Sequence, residues 1–226
     1  KEVQEVKIGY DGIVFATDVN GPDFAIQPDD IYKALAAKLV VDGKLVDNPN
    51  TKWSQVNAAF PDWDIAAYIP GEKHGTREVF ETKLLEAGCD KDALTAAGVA
   101  KDDLAKTCHA VRKDGKAVDI DGDYTETLAR IDADKKAVGV FLAFYENNAD
   151  KLKVATVGGV VPSTETIASG EYPVSRPLFF YVKKAHLGVI PGLKEYVEFF
   201  LDDQMIGPDS ALAEYGLVAA PDADSG

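Results

Sequence analysis

The sequence predicts an α/β fold, a sheet with helices packed against it. Two observations carry this. Short apolar runs of strand length alternate along the chain with stretches whose apolar residues recur at helical period. Of the 226 residues, 46% are hydrophobic, enough for a core of real size. No internal repeat or low-complexity linker interrupts the alternation.

Taken in order, EVKIGYDGIVFAT at 5–17 reads as extended segments bent at Asp11 and Gly12. PDDIYKALAAKLV at 28–40 opens with proline and two acids, then repeats apolar residues at helical spacing, with Gly43 just beyond; the pattern predicts a helix throughout. WDIAAYIP at 63–70 reads as a buried strand, and after the loop GEKH a helix runs to about Gly88, a glycine stop. Acidic, alanine-rich pieces fill 90–107. GDYTETLARIDAD then predicts a helix, AVGVFLAF a buried strand, KVATV a short strand, and PSTETIASG a capped helical turn ending at Gly170. RPLFFYV at 176–182 predicts a strand. PGLKEYVEFFLDD and PDSALAEYG predict two closing helices, each with proline at its start, before a frayed tail.

The bulk charge excludes some partners. A net charge of -14 argues against binding nucleic acid or an anionic membrane through a basic surface. It leaves a small anion open, because scattered surface charges are screened beyond ~8 Å at physiological salt and a few donors touching a ligand outweigh them. No run approaches the ~20 apolar residues that span a bilayer. The chain opens on Lys1 with no signal peptide visible, so the reading expects a processed or trimmed product.

Cys89 and Cys108 flank a polar stretch that reads as a short helical excursion, and two readings stand: a disulfide suited to an oxidising compartment, or two unpaired thiols. His74, His109 and His186 lack zinc spacing, and no metal site or cofactor is expected. DIDGDYTET at 119–127 starts like a calcium loop, with Asp119, Asp121 and Asp123 at alternate positions. Tyr124 and Arg130 then stand where that loop needs glycine and glutamate, so a turn into a helix is the better account. Hydrolase and nucleotide-binding motifs are missing, which argues against an enzyme.

His74, Gly75, Thr76 and Arg77 stand where the helix after 63–70 should begin. The first amides of a helix have no internal acceptor and carry partial positive charge, so an oxyanion can take several bonds there at once. Gly75 permits close backbone approach, Thr76 adds a hydroxyl, and Arg77 offers a two-pronged guanidinium. Such bonds contribute ~1.5 to 3 kcal/mol each, against ~0.3 to 1 for the helix dipole alone. The bland alternative is that Thr76 caps the helix and Arg77 pairs with Glu81 on a solvated face.

Several stretches in their order, EVKIGYDGIVFA, HGTREVFE, VGVFLAFYENNADKLK, VPSTETIASGEYPVSRPLFFYVK and GLKEYVEFFLDD, resemble the periplasmic phosphate-binding proteins of ABC importers, the PstS family. The resemblance covers nearly the whole chain. It implies a two-lobed periplasmic-binding-protein fold, type II-like, with phosphate between lobes joined by crossover strands. Residues 13–172 would form the second lobe, 1–12 a first-lobe strand and crossover, and 173–226 the return crossover and the C-terminal part of the first lobe. His74, Gly75, Thr76 and Arg77 would then bind phosphate, with His74 standing where serine is usual in the family. Tyr10, Asp11, Ser175 and Arg176 would lie at the lobe crossings, as cleft lining or hinge. The family's opening strand, hydroxyl-rich loop and helix have no counterpart here. The first lobe is thus expected to be incomplete in this chain, its missing segment supplied by a separate chain or absent from a fragment. In the family the carboxylate that favours protonated phosphate over sulfate comes mainly from that segment, and Asp11 is the nearest substitute.

The resemblance further implies a bacterial periplasmic protein, exported on a signal peptide absent from this chain, that hands inorganic phosphate to an ABC transporter permease. Competing readings are a binding protein for sulfate, molybdate or a phosphonate, one turned to surface adhesion, or a phosphate-ester hydrolase using His74 as proton donor.

Overall fold

A computed structural model describes residues 3–142 and 150–183. It opens with strand β1, Val3–Asp18, followed by β2, Ala25–Ile26, and helix α1, Pro28–Leu35. A hairpin follows, β3, Lys38–Val41, and β4, Lys44–Asp47, then a single turn, α2, Trp53–Val56. Strand β5, Ala67–Pro70, leads into α3, Gly75–Phe80, which continues as a π-helix over Glu81–Leu85. After it come α4, Lys91–Ala96, a 3₁₀ turn at Lys101–Asp103, and α5, Leu104–His109. Strand β6, Ala117–Ile120, helix α6, Tyr124–Ala133, and strand β7, Val138–Leu142, complete the central unit. The chain then adds β8, Leu152–Val154, β9, Thr156–Val157, α7, Thr164–Ala168, and β10, Ser175–Lys183.

The main sheet runs in the order β10-β1-β7-β5-β6, with β8 also pairing with β1. β1 changes partners along its length. Val3–Gly12 pair antiparallel with β10, and from Ile13 onward the strand pairs with β7 and then β8. The bend read at Asp11 and Gly12 is the place where this one strand passes from one pairing to the other.

From Ile13 the strand is buried on both faces, which is why it reads as a continuous apolar run. Ile13 and Phe15 enter a large core with α1, Trp53, Ile69 and the helix residues Val79, Phe80, Leu84 and Leu85. Val14 and Ala16 enter a smaller core with Ile131 of α6, Phe141 and Leu152. The sheet is therefore sandwiched between helices. Tyr172 is fully buried and its hydroxyl donates to the Ile13 carbonyl at 2.6 Å, while the Ile13 N–H donates to Val174 O at 3.0 Å, so the returning chain is fastened where β1 changes partners.

One expectation fails. The helix predicted over 28–40 stops at Leu35, and 38–41 is a strand of the β3–β4 hairpin. The turn of that hairpin is Asp42 at φ 51° and Gly43 at φ 75°, the left-handed pair that a tight two-residue connection requires. The helix ends because its last carbonyls find distant donors. Asn48 Nδ2 donates to Lys33 O and Ala36 O, both at 2.9 Å, and Arg112 Nη1 donates to Ala34 O at 2.8 Å.

Cys89 and Cys108 are joined in a disulfide, Cα atoms 5.7 Å apart, which excludes the two-thiol reading. It ties the segment after the π-helix to α5. The two closing helices expected beyond residue 183 lie outside the described residues.

Candidate functional site

β5 runs parallel to both β6 and β7, so three strands present their carboxyl ends along one edge of the sheet. Ligands of open α/β sheets bind outside that edge. Because β1 is antiparallel to β7, with Ile13 opposite Leu142, its changeover point lies at the same edge.

The loop after β5 is shaped by short bonds. Gly71 N–H donates to Ile120 O at 3.0 Å, carrying the β5–β6 pairing one residue further. A β-carbon at Gly71 would meet the end of the Asp121 side chain and stand 3.3 Å from the Ile120 carbonyl oxygen, so the two loops lie close together there. His74 N–H closes the turn onto Gly71 O, and the Arg77 N–H bonds His74 O, both at 3.0 Å. His74 is the extended N-cap residue, but its side chain makes no capping bond. Among the described residues, no protein acceptor is found for the N–H groups of Gly75 and Thr76 or for the Thr76 hydroxyl. The capping role proposed for Thr76 is not the one it takes.

His74 reaches sideways instead, its Nε2 standing 3.1 Å from the carbonyl oxygen of Asp121 in the loop after β6. Arg77 turns inward and is only 6% exposed. Its Nη1 donates to Pro70 O at 2.9 Å and Asp119 Oδ1 at 2.7 Å, and its Nε to Glu81 Oε1 at 2.9 Å. The Arg77–Glu81 pair expected on a solvated face is thus present but half-buried, and it locks the end of β5, the end of β6 and the helix together.

The second loop brings another helix start to the same place. Asp123 caps α6, accepting from Thr125 N–H at 3.0 Å and from the Thr125 hydroxyl, and these bonds hold its carboxyl below the usual range. A cleft of about 220 Å³ lies between the loops, bordered by Pro70, His74, Thr76, Asp123, Tyr124 and Phe141 among others. Gly75 and Arg77 border a second, shallower depression on the outer side of the loop, with Lys73 and three glutamates. His74 lines both. Of the four residues read as a phosphate site, His74 and Thr76 therefore face the cleft directly.

The four crossover residues come together as well. Asp11 pairs with Arg176, Gly12 with Ser175, and Tyr10 with Pro177. Ser175 donates its hydroxyl to Tyr172 O at 2.8 Å, a bond that secures the crossing. Sequence reasoning took 119–127 for a turn into a helix without linking it to the site. The signal was the repeated order of strand, loop and helix, but β6 has only the four residues AVDI and was not read as a strand.

A doubly covered sheet with a cleft at its strand ends, and a strand that changes partners beside that cleft, is an α/β architecture of the binding-protein class. The chain belongs to the PBP superfamily: the family model described as the PBP superfamily domain matches residues 1–204. It is 28% identical over 225 residues to the phosphate-binding protein PstS of Staphylococcus haemolyticus, covering 97% of this chain and 58% of that protein. The chain thus spans well under two thirds of the length of such curated relatives. Among solved structures it is similar to one described as a possible phosphate binding protein from Planctomyces limnophilus, with a TM-score of 0.65 and 24% identity over 99% of this chain and 69% of that one. An ABC-type phosphate transport receptor from Vibrio cholerae superposes with a TM-score of 0.62 at 18% identity, covering 97% of this chain and 73% of that one.

Proposed function

We propose that this chain binds inorganic phosphate in the cleft between the β5 and β6 loops and serves an ABC transporter for phosphate uptake. In this reading residues 13–172 are one lobe, residues 1–12 and 173–226 belong to the other, and Tyr10, Asp11, Ser175 and Arg176 act at the crossing. The observation that carries it is the pair of acceptor-free amides at Gly75 and Thr76 where α3 begins, Thr76 with its free hydroxyl bordering the cleft. Phosphate would take those donors, and closing the second lobe over it would add more, so the ligand favours the closed state. Arg77 is read as the brace of this cradle, with Nε and Nη1 already engaged. The names of the similar proteins support phosphate as the anion. The disulfide agrees with an oxidising location, periplasmic or extracellular. No covalent step is asked of the cleft.

Calorimetric titration of the full-length protein tests this. Phosphate is expected to bind at micromolar concentration, and Thr76→Val, which removes one donor to a charged ligand, to weaken binding about tenfold or more. A wild-type protein that ignores phosphate and takes up sulfate or molybdate would overturn the assignment. An unchanged affinity in Thr76→Val would remove that residue from the site.

A further inference from the structure

The side chain at the N-cap of α3 is unusual for a site that receives an anion through donors alone. His74 Nε2 lies 3.1 Å from the Asp121 carbonyl, a group that can only accept. The neutral ring must therefore carry its proton on Nε2, which leaves Nδ1 as a lone-pair acceptor. Nδ1 makes no capping bond and has no protein partner among the described residues, and the ring borders the same cleft as Thr76. The cleft is poor in cations. Arg77 is turned into the protein, and the charged group on the cleft wall is the ionised Asp123. Donors at Thr76 beside acceptors at His74 and Asp123 suit an anion that both accepts and donates hydrogen bonds.

Resting on the phosphate reading above, we infer that His74, fixed by its Nε2–H on the Asp121 carbonyl, offers Nδ1 to the hydroxyl of a protonated tetrahedral oxyanion and so selects phosphate or arsenate against sulfate. Sulfate at neutral pH has no hydroxyl, and its oxygen would face the Nδ1 lone pair without a proton between them. The charged groups facing His74 are Asp121 and Asp123 from the β6–α6 loop, and Glu72, Lys73, Arg77, Glu78 and Glu81 from its own loop and helix. Asp123 is held below the usual carboxylate range by Thr125.

The test is competition calorimetry with phosphate, arsenate and sulfate on the full-length wild type, His74→Ala and His74→Gln, all at one pH. Wild type should prefer phosphate, and His74→Ala should lower the phosphate-to-sulfate ratio about tenfold or more, the worth of one bond to a charged ligand. His74→Gln can accept through its amide oxygen, so it should keep part of the preference. Circular dichroism of each variant reports whether the loop has held its fold. An unchanged ratio in a folded His74→Ala overturns the selectivity role while leaving phosphate binding intact. Failure of the wild type to bind phosphate at all overturns the functional reading itself.

Discussion

Arg77→Met separates a brace from a ligand. The guanidinium side chain is 7% exposed and makes three bonds, to the Pro70 carbonyl, Asp119 and Glu81. Its two carboxylate partners are 46% and 26% exposed, so each ion pair counts toward the low end, ~0.5 to 1 kcal/mol. Loss of the donor to the Pro70 carbonyl adds ~1 to 3 kcal/mol, because that oxygen is left without its partner. The total is about 3 kcal/mol. With a denaturant slope of about 2 to 3 kcal/mol per molar urea, the midpoint of unfolding should fall by about 1 M or slightly more. The assay is urea titration followed by tryptophan fluorescence, with Trp53 and Trp63 both in or against the main core, paired with phosphate calorimetry on the folded variant. A brace predicts a large loss of stability and an affinity within about tenfold of wild type. A midpoint shifted by less than about 0.3 M, together with a hundredfold loss of phosphate affinity, would refute the reasoning and make Arg77 a ligand.

Three further outcomes follow from the same coordinates. Removing the disulfide by Cys89→Ala with Cys108→Ala frees a loop with a sequence separation of 19 residues and should cost about 3 kcal/mol in urea unfolding; an unchanged midpoint would mean the crosslink contributes nothing. Gly88→Ala would place its β-carbon 2.1 Å from the Pro28 carbonyl oxygen, a backbone atom that cannot swing aside, and should cost more than about 2 kcal/mol by thermal unfolding. Lys91, and after it His109, hold the Glu86 carboxyl below its usual range, as Arg112 does that of Asp114. Groups lowered on folding contribute stability that is complete above the unfolded value, about pH 4, and lost as pH falls through the folded one. Unfolding midpoints should therefore drop in acid below about pH 4, and Lys91→Met should make that drop shallower.

What the sequence revealed divides along the range of the forces involved. Strand β5, its loop and α3 were legible because the apolar run, glycine and helix-starting residues lie next to one another. Gly170 was legible as a helix stop, and it sits at φ 75°. Gly88 was read as a stop too, but what fixes it is the approach of Pro28, sixty residues back. The end of α1 was misread for the same reason. KALAAKLV continues a helical pattern locally, whereas Asn48 and Arg112 satisfy the helix carbonyls from far along the chain. The Asp42–Gly43 pair was the local clue to the hairpin, overridden by that alanine-rich run. At the site, Thr76 and His74 could be named from sequence. The inward turn of Arg77 toward Asp119 and the contact of His74 with the Asp121 carbonyl could not, because both depend on β6 lying beside β5.

In the proposed reading, that pairing is also what would let a chain of net charge -14 offer an anion a place to sit. Parallel β5 and β6 bring two loop-to-helix junctions to one edge, so the start of α3 and the start of α6 face a common cleft. Free donors there are a backbone amide and the hydroxyl of Thr76, on a loop held by the Gly71–Ile120 bond and by the buried Arg77 on the Pro70 carbonyl. A guanidinium in the cleft would add attraction for any anion. With Arg77 turned inward, recognition in the proposed reading would rest on donors and acceptors of defined direction, which can discriminate by protonation state instead of charge alone. β1 changes partners at that same edge, with Asp11–Gly12 paired to Ser175–Arg176. In the proposed reading, an anion in the cleft would therefore sit beside the crossing strands, and lobe closure would need no long-range pathway to follow binding.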